Sequence, residues 1–514
     1  MSVLLINDFS GGLNTRFRQN RIADNESPAS RNARWTRYGA LSKREGTLIH
    51  QITPDANIAA LSSCFSCSPV GSGERLFIAD VNGRVYRSTQ AAGTFTFVVD
   101  VTGGKIEFLI LNQNIYMTDG SVAVRRIDTS YNVTSITDYP LAREHVLHKN
   151  RVFTLNTAAN PSRLQWSAIN DAETWTSTNF EDISPNDGSD GMALASFGDE
   201  LVIFKAGNLQ PNNYGNTSMY GLLGDSFDAT NVAYSLQKIP TKYNAGVAFP
   251  RTVKLYNGAL IFYTPDGFYA YEGGGRMPHP ISESLRGDMI NWSHGNSGTV
   301  YQAAAIVHRN KYICSVRRGA APTEAVYVFE DGKWNMDYIG DGTDSFATGG
   351  DTGLDWCINA GNLYSASNFG SGGIGGGALG TGILRRWYPA TVLQTDTLDS
   401  NTAANVNFSY LTKEFDLGRE VHFTHCYIHL RRQSSGTLTF EVNTDQRGVV
   451  STAVDISVGD IGTTESSSSN ILKKRINIQR RGRTIQFRMY NSEAIEIEIY
   501  SIELHYEKGY FQDK

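Results

Sequence analysis

The sequence predicts an all-β protein: a β-propeller of about six or seven irregular blades followed by a C-terminal antiparallel β-sandwich. Three observations predict it. The composition favours strands and tight turns, a hairpin pattern recurs through the middle of the chain, and longer alternating strands replace that pattern near the end. Among 514 residues there are 50 Gly but only 14 Pro, with 25 Tyr and 24 Phe and charged residues at 19%. Glycine supplies the positive-φ positions of turns, and aromatic rings pack well on pleated surfaces. Length alone suggests about three domains. The divisions read from the pattern are an N-terminal arm over 1–57, a propeller over 58–394 and a sandwich over 395–514.

The arm is polar and too irregular to be a blade, and residues 25–32 read as one of two short helices, the other being 282–291. From residue 58 onward a β-rich run meets an Asn/Gly/Asp turn and returns as a second strand, often turning again into a third. Residues 75–80 lead through Asn82-Gly83 into 84–87, and 108–111 lead through Asn112 into 115–117. Similar units surround Lys149-Asn150, Gly198-Asp199, Asn257-Gly258, Asn310, Asp331-Gly332 and the segment 359–362. They recur roughly every 30 to 50 residues, the spacing of four-stranded blades. A ring of small twisted sheets buries faces that one sheet alone leaves in water, and it keeps the edges short. A long sandwich or solenoid would produce a similar local pattern.

Residues 395–405 read as a polar linker. Beyond them, strands near 408–413, 425–431, 437–442, 474–478, 484–490 and 495–506 alternate more strictly. Ile495, Ile497 and Ile499, then Ile502, Leu504 and Tyr506, place one face on a core.

Composition and motifs argue against several functions. The formal net charge is −5, whereas a sequence-independent DNA binder normally carries a basic excess to neutralise phosphates. Any contact with DNA is therefore expected to be loose. No apolar run is long enough to span a membrane, and residues 1–15 do not read as a secretory leader. The five cysteines are sparse, and Cys64-x-x-Cys67 is a lone pair without further ligands for zinc. No cofactor or metal site is expected. His422, His425 and His429 have neither helix-face nor strand-face ligand spacing. The basic run Arg480-Arg481-Gly482-Arg483 reads as a solvent-facing turn between strands.

Sugar-cleaving enzymes also use propellers, and they need paired carboxylates or a Tyr nucleophile with an Arg cluster. The Asp residues here are spread through turns, where they bond the backbone locally. One degenerate match to a sialidase-type turn, residues 168–175, keeps Thr174 and Trp175 but has Asn170 and Ala172 where Asp and Gly belong. Such turns are structural even in enzymes.

Three stretches carry a resemblance. The first is Asp8-Phe9-Ser10-Gly11-Gly12-Leu13-Asn14-Thr15-Arg16 with Ile22 to Glu26, Asn32 and Gly39-Ala40-Leu41-Ser42-Lys43-Arg44-Glu45-Gly46. The second, residues 197–284, includes Gly198-Asp199-Glu200-Leu201-Val202-Ile203-Phe204-Lys205 and Asp266-Gly267-Phe268-Tyr269-Ala270-Tyr271. The third is the C-terminal region with Leu411-Thr412-Lys413-Glu414-Phe415 and the closing Ile-rich strands. Together they resemble the tail hub and nozzle proteins of short-tailed phages, including the tail-hub proteins once called packaged-DNA-stabilisation proteins.

The resemblance implies a non-enzymatic virion protein made in the host cytoplasm. It would form a ring of identical subunits, a hexamer, that docks to a tail adaptor and to a tail fibre or spike. Viral double-stranded DNA would pass through transiently. Phe9, Gly11, Gly12, Asn14 and Arg16 are then candidate assembly contacts. A near-neutral wall lets DNA slide, so retention would need a steric gate made of loops. The candidates are Gly207, Asn208, Gln210, Pro211, Asn212, Asn213 and Tyr214, where a blade strand breaks after Lys205, and Gly372, Gly373 and Gly376 in a glycine-rich run. The competing expectation is a receptor-binding propeller that binds or cleaves glycans.

Overall fold

The computed structural model describes residues 1–50, 58, 61–67, 74–88, 95–101, 106–207, 217–224, 234–241, 249–264, 266–287, 303–318, 323–338, 355–367, 383–389, 394–397, 403–445, 452–458 and 470–508. It is a seven-bladed propeller joined to a large antiparallel sheet. Blades 1 to 6 are four-stranded meanders that open on Leu61–Cys67, Glu107–Leu111, Ala142–His148, Ser189–Phe197, Lys254–Tyr256 and Ala303–His308. Blade 7 contains Asp355–Asn359, Asn362–Ser367 and Ile383–Trp387. Its next strand is Thr47–His50, antiparallel to Ile383–Trp387, with Thr47 opposite Trp387. The ring is thus closed by residues from the far end of the chain.

The opening strand of each blade lies innermost; those of blades 2, 3 and 4, and those of blades 5, 6, 7 and 1, touch in succession around the axis. Two-residue turns join five of them to the next strand: Asn112-Gln113, Lys149-Asn150, Asn257-Gly258, Arg309-Asn310 and Ala360-Gly361. Both residues of each turn have positive φ, the I′ geometry whose twist matches paired strands. Asn and Gly suit it. Gln113, Lys149, Arg309 and Ala360 do not, so pairing of the flanking strands must hold them there.

Blade faces bury against each other. Between blades 5 and 6, Phe268 packs against Trp334 with ring centroids 4.4 Å apart and against Tyr327 at 5.8 Å. Phe153, Leu201, Ile203 and Tyr220 fill the space between blades 3 and 4. Each such side chain contributes about 1.5–3 kcal/mol by leaving water.

The C-terminal region is a ten-stranded, nearly closed antiparallel sheet around a single core. Its long strands are Phe415–Arg431, Ile471–Asn491 and Glu498–Lys508. Ile497, Ile499, Ile502 and Leu504 all point inward. The alternation slips by one residue between Ile499 and Ile502, where a bulge shifts the register against His429 and Leu430.

The predicted arm is not a separate element. Ser2–Ile6, Ala29–Arg31, Ala33–Trp35 and Leu41–Lys43 are strands of the C-terminal sheet, and Thr47–His50 belongs to blade 7. A boundary at residue 57 therefore cuts across both units. The helix expected over 25–32 is two short strands, Glu26–Ser27 and Ala29–Arg31, because pairing with distant segments overrides local preference. Of the second expected helix, Glu283–Leu285 is a single 3-10 turn. The polar linker at 395–405 holds the strands Thr395–Thr397 and Ala403–Asn405, which extend the sheet of blade 7 beyond Thr47–His50. The basic run at 480–483 lies within Ile471–Asn491, not at a turn, and Arg483 pairs with Asp416 at 2.8 Å.

Candidate functional site

Two polar clusters dominate the interior. The first closes the propeller axis. Before blade 5, Pro250–Thr252 makes one 3-10 turn against the inner strands of blades 4 and 6. Proline at the first position suits the turn, since its missing N–H would have no partner there. The turn aims Arg251 across the axis. Its Nη1 donates to the Ser62 carbonyl at 2.6 Å, and its Nη2 donates to Ser63 Oγ at 2.6 Å and the Ile106 carbonyl at 3.0 Å. Nε donates to Glu107 Oε1 at 3.0 Å, and Asp355 Oδ2 lies 3.3 Å from Nη1. Asp355 also accepts the Cys64 N–H at 3.1 Å. One side chain from the entry to blade 5 thus ties together the inner strands of blades 1, 2 and 7.

Burial pushes the Asp355 carboxyl above its usual range, and Arg251 pulls it partly back. Burial works against the Arg251 charge too, but Asp355 and Glu107 more than offset it. Two carboxylates sharing one guanidinium form an ion-paired clasp rather than an acid and a base poised for proton transfer.

The second cluster lies where the N-terminal strands, blades 6 and 7 and the C-terminal sheet meet. Arg44 and Asp396 are bidentate partners at 3.0 and 2.5 Å, and both side chains are fully buried. Arg44 also donates to Asn32 Oδ1 at 2.7 Å, to the Tyr338 carbonyl at 2.6 Å and to the Glu45 carbonyl at 2.8 Å. All five guanidinium donors are thereby engaged. Asn32, held at a φ of 54°, donates its side-chain amide to the Asn407 carbonyl at 2.7 Å. Arg34 is paired with Asp337 and donates to Tyr388 Oη at 3.3 Å. Lys43 Nζ donates to Asn491 Oδ1 at 2.9 Å and to the Glu493 carbonyl at 2.5 Å.

Burial, and then the charge of Arg44, pull the Lys43 ammonium down to about 7. The unfolded chain therefore holds this proton more tightly than the folded one. Stability from this group is full above the ordinary lysine value and is lost as pH falls through about 7. Melting temperatures measured from pH 7 to 10 should show a rising contribution that Lys43→Met removes. Parallel profiles for the two proteins would contradict this.

The candidate assembly residues form a third group, and the structure uses them within the chain. Phe9 is buried in the C-terminal core, its ring edge-on to Tyr410 at 5.7 Å. Asn14 is buried and donates to Glu26 Oε2 at 2.9 Å. Arg16 pairs with Glu283 at 2.9 Å, next to a backbone bond from Thr15 N to the Ser284 carbonyl at 2.8 Å. A Cβ on Gly11 would lie 2.6 Å from the Asn25 carbonyl oxygen. These residues staple the C-terminal sheet to blades 5 and 6. Phe9 and Asn14 are thus buried within the chain, while the Arg16 side chain is partly exposed.

Gly12 has a φ of 78°, and a Cβ there would sit 2.9 Å from the Trp334 carbonyl oxygen. Gly12→Ala is expected to cost about 1–3 kcal/mol from backbone strain alone. The midpoint of denaturant unfolding measures it, and an unchanged midpoint would show that the staple yields freely.

Of the candidate gate residues, Gly207 ends the strand Glu200–Gly207, so that strand continues past Lys205 rather than breaking there. Asn208, Gln210, Pro211, Asn212, Asn213, Tyr214, Gly372, Gly373 and Gly376 lie outside the described residues. The sialidase-like turn is a local structure: Trp175 Nε1 donates to the Ala172 carbonyl at 2.8 Å, and Glu173 binds Arg126 at 2.7 Å. Cys64 and Cys67 are buried in Leu61–Cys67. His425 stacks on His505 at 4.6 Å, and Glu503 lies 2.8 Å from His505 and 3.8 Å from His429. Among the described residues no group of three or more His, Cys, Asp or Glu could hold a metal ion. No helix among them is long and apolar enough to cross a membrane.

Sequence reasoning missed Arg251, Asp355 and Asp396. Arg251 sits in Phe-Pro-Arg-Thr, which matches no motif, and its partners lie 104 to 189 positions away. Arg44 lies inside a quoted stretch, Lys43-Arg44-Glu45-Gly46, but its partner Asp396 could not be inferred.

No protein-family model and no curated protein sequence matches the chain. Solved structures match the chain at low similarity. BBS1N in complex with ARL6DN is 10% identical, with 68% of this chain and 99% of that one covered and a TM-score of 0.40. The β-propeller domain of the Trilobed protease from Pyrococcus furiosus, described as having an open velcro topology, is 10% identical over 64% and 93%, with a TM-score of 0.37. An exo-β-1,3-galactanase from Phanerochaete chrysosporium is 11% identical over 90% and 100%, with a TM-score of 0.27.

Proposed function

We propose that the chain is a structural virion protein of a phage tail, a hub or nozzle subunit that acts without catalysis in a ring of copies. The observation that carries this reading is the fate of the opening motif. The residues from Asp8 to Arg16, in one of the three stretches that carry the resemblance, are a built staple between propeller and sheet. The resemblance therefore extends to residues with a defined architectural task.

The reading also says where DNA would run. Arg251 occupies the axis of the propeller, so a conduit for duplex DNA has to lie between copies. The formal charge of −5 suits a wall along which DNA slides, because each neutralised phosphate would add affinity. Contacts around a closed ring are heterologous, with one surface meeting a different one on the next copy.

Native mass measurement and electron microscopy of the assembled protein test this. A closed ring with its opening between propellers is expected. A protein that stays single at all concentrations, or appears once per particle, would sink the proposal. Incubation with host surface polysaccharide is expected to release no product, and turnover abolished by one carboxylate substitution would favour a glycan hydrolase instead.

A further inference from the structure

Two histidines of the C-terminal sheet are in direct contact. His425, on Phe415–Arg431, lies opposite His505, on Glu498–Lys508, and the rings stack with centroids 4.6 Å apart and planes 8° from parallel. Tyr427 stands edge-on to both, at 5.2 and 5.6 Å. The stack sits at a bulge, since the register slips between Phe423 and His425 against both neighbouring strands and leaves Thr424 as the extra residue.

The hydrogen bonds fix where each ring carries its proton. Thr424 Oγ1 donates to the His505 carbonyl at 3.0 Å, so toward His425 Nδ1, 3.1 Å away, it can only accept, and His425 carries its hydrogen on Nδ1. The Glu503 carboxylate also only accepts, and it takes the N–H of His505 Nε2 at 2.8 Å. His505 Nδ1 is left bare and buried, without a hydrogen-bond partner among the described residues. A further proton there would sit where nothing accepts it.

The surroundings offer little to offset added positive charge. On its own strand His425 is flanked by Tyr427 and His429 on one side and His422 on the other. Ile471–Asn491 brings Lys473 opposite His429, Arg475 opposite Tyr427, neutral Asn477 opposite His425, and Arg480 and Arg481 beyond the bulge. Glu498–Lys508 brings Glu503, and Glu507 opposite His422. Ser2–Ile6 brings uncharged Val3 opposite His505 and Leu5 opposite Glu503. Glu503 is already shared, with Lys473 at 3.6 Å and His429 at 3.8 Å besides His505. Burial, then Arg475 and the second ring, hold His425 below the ordinary histidine value, against the pull of Glu503.

We propose that the His425–His505 stack is an acid-sensitive latch on the edge of the C-terminal sheet. Neutral rings close the bulge between Phe415–Arg431 and Glu498–Lys508, whereas two imidazoliums repel across 4.6 Å and part. Glu498–Lys508 then loosens together with Ser2–Ile6, which pairs with no other strand among the described residues. The opened or unfolded chain holds the second proton more tightly than the stack does. The latch therefore contributes fully above the ordinary histidine value, and its contribution is lost as pH falls below it. The inference uses the C-terminal sheet alone and stands apart from the tail reading.

Two measurements on the full chain test it. Nuclear magnetic resonance of isotope-labelled histidine is expected to show the two rings taking up protons in steps at least about one pH unit apart, a tenfold difference in proton affinity. Hydrogen exchange, corrected for the intrinsic effect of pH, is expected to show protection of residues 2–6 and 502–506 falling about tenfold from pH 7 to pH 5. Blade 1, which contains no histidine, should keep its protection. His425→Gln cannot take the charge and is expected to abolish the fall, while His429→Gln is expected to retain it. A single step shared by both rings at the ordinary histidine value, or an equal loss of protection in His425→Gln and the parent, would overturn the proposal. The resonance titration needs no variant, so it decides even where His425→Gln fails to fold.

Discussion

Arg251→Ala is expected to destabilise the protein by about 3–5 kcal/mol, the cost of leaving buried charges without their partner. The substitution strands Asp355, whose carboxyl burial already pushes up, and removes the bonds to Ser62, Ser63 and Ile106. Such a loss is a large fraction of the 5–15 kcal/mol typical of a folded protein. The midpoint of denaturant unfolding reads it directly.

The pH dependence of the Arg251→Ala variant gives a second readout. Without the guanidinium, the Asp355 carboxyl lies further above its unfolded value, so the folded state holds that proton more tightly. Stability from such a group is full below the unfolded value and is lost as pH rises through the folded one. The deficit of Arg251→Ala should therefore shrink as pH is lowered from neutral toward the ordinary carboxylate range. Adding Asp355→Asn should remove most of that slope. A deficit that is small and flat with pH would mean that the axis is held by packing, with the clasp incidental.

Arg44→Met is expected to cost a similar amount, about 3–5 kcal/mol, because Asp396 is then a fully buried carboxylate that has lost its bidentate ion-pair partner and keeps the hydrogen bond from Thr47 Oγ1. The double variant Arg44→Met with Asp396→Leu should recover much of that loss, since well-packed apolar residues often replace a buried pair at little net cost. A double-mutant cycle separates the pair from the rest of the network. If the double variant is no better than Arg44→Met alone, the bonds from Arg44 to Asn32 and Tyr338 carry the junction.

The contrast between these clusters and the hairpins shows what the sequence could reveal. Asn257-Gly258 and Asp331-Gly332 announce tight turns because those residues tolerate positive φ. The strands beside them alternate over a few residues, and a repeating unit of that kind implies a ring. The blade structure was therefore readable from local physics. The seventh blade was less so, because Thr47–His50 pairs with a strand more than 300 positions later. Leu41–Lys43 and Ala33–Trp35 have three residues each, too short for any period to register. Arg251 and Arg44 are single charges whose partners are set by the closed ring, and a charge in isolation looks the same in a solvated loop. The opening motif is the opposite case: Phe9, Gly11, Gly12 and Asn14 stand out in the sequence, but their packing partners within the chain do not.

The pairing of Ser2–Ile6 with Glu498–Lys508 sets a timetable for the growing polypeptide. Ser2–Ile6 is made nearly 500 residues before the strand it pairs with. At roughly 5–20 residues per second, that wait is on the order of half a minute to two minutes. Throughout it, Leu4 and Ile6 lack the core they will enter, and Thr47–His50 waits about two thirds as long for its partner in blade 7. Six blades can stack in turn as they emerge, while Ser2–Ile6 stays without its partner strand. Shielding of this segment during synthesis, or slow translation through its length, would matter more to yield than any change in the finished propeller.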